Sequence, residues 1–258
     1  MRFERTRQKC KAIRDRVYPK DQWPGVRYQE AVIASGGPER TLLELGCGRE
    51  ARVLRRLAPH FAFSWGVDLE KVADGSDEER WKLIQGDAHR IPLGDESVDV
   101  VASANAVEHF ADPVAAFRES ARVLRPGGRV VLITVNQWFP PIVLGRILPH
   151  SWRQRVNGVA TGTADEDTFP VFYRANSARS LTRAAEAAGL TPVQVRYVSS
   201  HPQYLMFSVL AYRLGIALER FVARHAVLHG WQHFLLGVFE RPAARRASNN
   251  NRNGISSG

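Results

Sequence analysis

The sequence predicts an α/β protein with a doubly wound, mostly parallel sheet of seven strands, a C-terminal antiparallel hairpin and helical insertions. Three observations carry this. From Thr41 to Val135, short apolar runs alternate with stretches of helical apolar spacing, the rhythm of strand–helix–strand units. A glycine-bearing turn, Gly46-Cys47-Gly48, stands between the first such run and its helix. After Asn136 the rhythm stops, and two later runs flank one long helical segment, as a terminal hairpin with a connecting cap would.

The elements follow in order. Arg2 to Arg16 is charged and reads as a frayed helix, and Pro19 to Pro24 is a break. Val26 to Ala34 forms a short helix ended by Gly36-Gly37-Pro38. Thr41 to Leu45 is the first strand, and Arg49 to Leu57 its helix. Phe61 to Leu69, Trp81 to Gln85, Val98 to Ser103 and Arg129 to Val135 are the next four strands. Pro113 opens a helix to Leu124, and Arg125-Pro126-Gly127-Gly128 is the turn into the fifth strand. Residues 137–173, with prolines, aromatics and the acidic Asp165-Glu166-Asp167, read as an insertion over the carboxyl edge of the sheet, where open α/β folds bind ligands. Asn176 or Ser177 caps a helix to Ala188, with Gly189 at its stop. Pro192 to Val198 and Phe234 to Arg241 are strands six and seven, joined through a helical segment from Tyr204 to Leu228. The expected organisation is a basic N-terminal arm over 1–20, one domain over 21–242 whose insertions near 137–173 and 201–230 form a substrate cap, and a disordered tail over 243–258.

Charge narrows the partners. The formal net charge is +10, but residues 1–20 hold eight Lys/Arg against two acids, and residues 241–258 hold four Arg and no acid. The body between them is balanced, so a nucleic-acid role is disfavoured and the basic ends read as solvated and dispensable for chemistry. Cys10 and Cys47 form no disulfide framework and have no metal-ligand spacing. No apolar leader opens the chain, and the expected location is the cytoplasm. His225, His229 and His233 recur every four residues, but Gly230-Trp231 interrupts that helix and no carboxylate is near, so no metal site is expected.

The ligand can be argued from one carboxylate. Gly46-Cys47-Gly48-Arg49-Glu50-Ala51 satisfies a dinucleotide fingerprint formally, and Asp68 falls where a ribose-binding acid belongs. Glu44, two residues before the glycines, would repel a pyrophosphate there and would suit a ligand with ammonium and sulfonium groups. S-adenosyl-L-methionine is such a ligand. A nicotinamide-dependent oxidoreductase and a non-catalytic protein that kept only the fold are the alternatives.

With these residues in view, the chain resembles the class I S-adenosylmethionine-dependent methyltransferases, in the broad group that includes the ubiquinone/menaquinone-pathway enzymes. Glu44-Leu45-Gly46-Cys47-Gly48 matches that family's E/D-x-G-x-G motif, and Asp68, with Leu69 after it, its ribose-binding acid. Gly86-Asp87-Ala88 matches its adenine site, which implies that Asp87 accepts from the exocyclic amine while the Ala88 amide meets the ring. Val107-Glu108-His109-Phe110 falls at the position facing the methyl donor, and Tyr28 at the family's lid over the methionine end. The matches run in family order over roughly 26–136 and imply a Rossmann-like methyltransferase. Glu50 departs from the pattern, where a third glycine is common.

The chemistry such a donor needs is alignment and exclusion of water more than acid–base power. The expected acceptor is a small molecule, methylated on oxygen, of lipid-linked, glycan or secondary-metabolite type. His109 or Glu108 could serve as a base, and His109 is the preferred candidate, against the blander reading of a structural histidine near a helix start. No Asn/Asp-Pro-Pro-aromatic run follows strand four, and no cysteine either, which demotes adenine, glutamine and cytosine as acceptors. On the Tyr204–Leu228 segment, Arg213, Arg220 and Arg224 share one face among many apolar residues. A cap packed on the hairpin is the favoured reading there, and an interfacial helix in peripheral contact with a membrane the less favoured one. Nothing in the sequence sets the oligomeric state.

Overall fold

A computed structural model describes residues 2–70, 79–147 and 169–243. The acidic run Asp165-Glu166-Asp167 and the expected disordered tail, apart from its first residue, lie outside the described residues. One seven-stranded sheet runs in the order β3-β2-β1-β4-β5-β7-β6, with β1 Thr41–Leu45, β2 Phe63–Asp68, β3 Trp81–Gln85, β4 Val98–Ala104, β5 Leu124–Val135, β6 Thr191–Val198 and β7 Phe234–Glu240. The first five strands are parallel; β7 runs antiparallel to both β5 and β6, so the last two form the expected hairpin.

Helices cover both faces: α1 Arg2–Val17, α2 Pro24–Ser35, α3 Arg52–Leu57, α4 Pro113–Val123, α5 Pro140–Ile147, α6 Ala178–Ala187 and α7 Val209–Arg224. The pleat sorts neighbouring residues to opposite sides. Leu42, Val100 and Val131 pack with Leu54 and Leu57 of α3 and Val32 of α2. Leu43, Val101 and Leu132 pack with Phe117 of α4 and Leu181 of α6 on the other face.

Pro113 opens α4 as expected, and the structure adds Asp112 as its cap, accepting from the Ala115 amide at 3.1 Å; of the two residues proposed for α6 it is Ser177 that caps, in a reciprocal box with Ser180. Two segments differ. The Arg125–Gly128 turn is a bulge inside β5, where the register jumps between Val98 and Val100. A Cβ at Gly128 would stand 2.8 Å from the Arg125 and Asp99 carbonyl oxygens, which is why glycine sits there.

The larger difference is at the N-terminus. α1 is docked: Cys10 is fully buried and packs with Met206, Tyr212 and Ile216, while Ile13 and Val17 close the same cluster. Charge counted along a helix does not reveal this, because the apolar residues that dock are few and spaced by three and four. The stretch expected to be a dispensable arm is therefore part of the folded body. The 201–230 segment packs against this helix, and no residue of it lines the cavity described next.

Candidate functional site

At the carboxyl ends of β1 to β4 lies a cavity of about 490 Å³. Gly46, Asp68, Leu69, Asp87, Ala88 and His109 line it, together with His89, Asn105, Phe110, Asp112, Phe169, Pro170 and Phe172, which the sequence did not single out as site residues. Six of the ten candidate residues thus meet at one place. Glu44, Cys47, Gly48 and Tyr28 do not line it.

The glycine turn is shaped for close approach. Gly46 and Gly48 have φ of 72° and 67°, the left-handed region, and a Cβ on Gly46 would sit 2.5 Å from the Ala106 Cβ. The turn continues through Ala51, also left-handed, so α3 begins three residues later than expected. Asp68 ties this turn to the end of β2: Oδ2 accepts from the Gly48 amide at 2.7 Å and Oδ1 from the Glu70 amide at 3.0 Å. Each oxygen keeps a further lone pair for a ligand hydroxyl. Glu50 points away, paired with Arg52 on the surface.

The pleat explains why Glu44 is absent from the lining. Glu44 shares its face with Leu42, toward α2 and α3, and is 1% exposed beneath the glycine turn. Burial pushes its carboxyl up to about 8, against a pull downward from a hydrogen bond with the Leu54 amide and a further push from the Asp68 charge. Since Ala51 offers no side-chain cap, Glu44 serves the first turn of α3 from below. Among the described residues its Oε2 and the hydroxyl of buried Tyr28 have no hydrogen-bond partner, and the Glu44 charge adds to the burial that raises the Tyr28 phenol. Cys47 turns inward against Gly66, and burial, then Glu44 and Asp68, raise its thiol to about 12.

Glu44 has a consequence for stability. The unfolded chain loses this proton near the ordinary 4.5, the folded chain only near 8. Between those values the folded state binds more protons, so the Glu44 contribution is full below about 4.5 and is lost as pH rises toward 8. Glu44→Gln keeps an acceptor for the Leu54 amide. Its stability relative to the wild type should rise across that window in denaturant titrations, and parallel pH profiles would retire the buried neutral carboxyl.

On the β3 side, the Asp87 Oδ1 accepts from the His89 amide at 2.9 Å and meets the His89 Nδ1 at 2.6 Å. Burial pushes the Asp87 carboxyl up, but these contacts outweigh it and hold the group below its usual range. The His89 Nε2 accepts from the Asp112 amide at 3.2 Å, so Nδ1 carries the proton. His89 therefore clamps the loop after β3 to the start of α4, and leaves the Asp87 Oδ2 for a ligand.

His109 ends a 3-10 turn, Val107–His109, just beyond β4. Its Nδ1 lies 3.1 Å from the Pro170 carbonyl oxygen, which can only accept, so Nδ1 is the protonated nitrogen and Nε2 holds the lone pair. Below it, buried Glu108 accepts from the Thr134 hydroxyl at 2.6 Å, and Thr134 accepts from the Asn176 amide nitrogen at 2.7 Å. The Glu108 carbonyl receives the Phe172 amide at 2.8 Å, which fastens the Phe169–Phe172 loop across the cavity mouth. Glu108 is thus a positioning group, and the other candidate base is spoken for. Asn105, left-handed with φ 54°, turns the chain into this site; the only sign of it in the sequence is a polar residue directly after an apolar strand.

Comparison with known proteins agrees with this arrangement. Residues 43–132 match a family described as "Methyltransferase domain". The chain is 47% identical over 183 residues to a demethylmenaquinone methyltransferase of Mycobacterium sp. (strain KMS), a match covering 65% of this chain and 75% of that one. It is 37% identical over 106 residues to the demethylmenaquinone methyltransferase of Thermotoga maritima, covering 40% of this chain and 46% of that protein, under half of the relative's length. Among solved structures, the geranyl diphosphate C-methyltransferase of Streptomyces coelicolor A3(2) superposes with a TM-score of 0.57 over 83% of this chain and 74% of that one, at 20% identity, a likeness of fold.

Proposed function

This chain belongs to the class I S-adenosylmethionine-dependent methyltransferases, and we propose that it methylates a hydroxyl oxygen of an apolar small molecule. The observation that carries this reading is His109, held with Nε2 as its basic nitrogen, in one cavity with the two acids expected to hold the donor and with Phe110, Phe169 and Phe172.

The residues suit the donor. Asp68 offers lone pairs to the ribose hydroxyls and Asp87 Oδ2 to the adenine amine, while Glu44, buried beneath the glycine turn, stays outside the cavity and supports the turn from below. Bound S-adenosylmethionine supplies a methyl group already activated by its sulfonium. His109 then takes the acceptor's hydroxyl proton on Nε2 as the oxygen attacks. Phe169 and Phe172 exclude water and hold the acceptor in line. A second reading, a quinone-derived acceptor, is favoured by the 47% identity to a demethylmenaquinone methyltransferase.

The test begins with calorimetry against S-adenosylmethionine, its demethylated product and NADH. Binding of the first two and not the third is expected; the reverse would return the oxidoreductase reading. A screen with methyl-labelled donor over phenols, alcohols and reduced naphthoquinones then locates the label. Label on a phenol or alcohol oxygen supports the proposal, and label confined to the reduced naphthoquinones replaces it with the second reading.

A further inference from the structure

The outer face of α7 is apolar where a surface helix is expected to be polar. Its inner face, Tyr212, Gly215, Ile216, Glu219 and Val222, is buried, with Tyr212 and Ile216 in the cluster that α1 closes. Opposite it, Leu210, Leu214, Leu218 and Phe221 follow one another at helical spacing, and each is more than half exposed. Arg213, Arg220 and Arg224 run along one flank of that stripe. The helix was expected to bury its apolar residues on the hairpin; instead it shows two apolar faces, and only one is covered.

The stripe continues beyond the helix. Val227 is 96% exposed and Trp231 52%, and with Trp138, Val143 and Leu144 they line an open groove of about 580 Å³. Asn136, buried after β5, ties these parts together by donating to the Gly230 and Gln232 carbonyl oxygens. Because β7 is antiparallel to β5, with Val135 opposite Phe234, the groove lies at the carboxyl edge of the sheet, the edge that also carries the donor cavity.

Charge identifies the occupant. α1 packs directly on α7 and exposes Arg5, Lys9 and Arg16 along one flank, with Lys11 on the other flank beside Glu4 and Asp15. We propose that α7, the 226–231 turn and the Trp138–Leu144 segment form a docking face for an anionic lipid bilayer. Leu210, Leu214, Leu218 and Phe221 enter the apolar boundary, Trp138 and Trp231 sit at headgroup level, and the arginines and Lys9 meet lipid phosphates. A second copy fits less well, since an antiparallel two-fold contact through this stripe would set arginine flank against arginine flank. Among the described residues no helix is long and apolar enough to cross a membrane, so the contact is peripheral. The proposal stands independently of which acceptor is methylated.

The test is co-sedimentation of the full chain with vesicles of phosphatidylcholine, with and without phosphatidylglycerol. Wild type should partition onto the phosphatidylglycerol vesicles, weakly onto phosphatidylcholine alone, and less as salt rises. Leu214→Asp with Phe221→Asp should lower partitioning by about tenfold or more, with donor affinity and melting temperature unchanged. Arg213→Glu with Arg224→Glu should lower it on the phosphatidylglycerol vesicles and leave the weak phosphatidylcholine binding alone. Three results would overturn the proposal: wild type that stays in the supernatant, an aspartate variant that sediments like wild type, or a wild-type dimer in solution that the aspartate variant splits.

Discussion

Asp68→Ala is expected to weaken S-adenosylmethionine binding by about ten- to a hundredfold. Two losses contribute. A hydrogen bond to a charged group is worth about 1.5–3 kcal/mol, so losing the contact to the ribose hydroxyls would alone account for that range. The same carboxylate also holds the Gly48 amide at 2.7 Å, so alanine releases the glycine turn. Asp68→Asn separates the two, because its amide oxygen restores one neutral acceptor, and it should fall between wild type and alanine in calorimetric titration. Donor affinity unchanged in Asp68→Ala would retire the ribose role.

His109→Ala is expected to lower turnover by about 10²-fold while leaving donor affinity nearly intact. The ring donates to the Pro170 carbonyl and meets Phe169 edge-on, so a purely positioning role would act through that loop. The two roles differ in steady-state kinetics. A lost base lowers kcat with little change in the acceptor KM, whereas a loosened loop raises the acceptor KM. His109→Gln can keep a donor near the Pro170 carbonyl but has no basic nitrogen. If it restores turnover, His109 is a positioning residue and alignment alone carries the chemistry.

The two experiments bear on different parts of the cavity. Asp68 tests the β1–β2 side, where backbone amides arrange a carboxylate, and His109 the β4 side, where a carbonyl sets a tautomer. Asp87 is the less sensitive handle, since its Oδ1 already serves His89 and substitution would also disturb the loop clamp.

The sequence by itself determined the sheet, its strand succession and the edge at which the site lies. Those follow from local periodicities and from the glycines, prolines and cap residues that punctuate them, as at Gly46, Pro113 and Ser177. It also placed Asp68, Asp87 and His109 at the ends of successive strands, and parallel topology alone brings such ends together. Three things were decided only in three dimensions. Glu44 faces α3 rather than the cavity, because strand parity ties it to Leu42. The Phe169–Phe172 loop closes on a histidine about sixty residues away through a backbone carbonyl, a contact that no side-chain pattern encodes. The third is which apolar face of α7 is covered. Both of its faces are apolar in sequence, and only the docking of α1 through Cys10, Ile13 and Val17 decides that Leu214 and Phe221 are left to water or to a membrane.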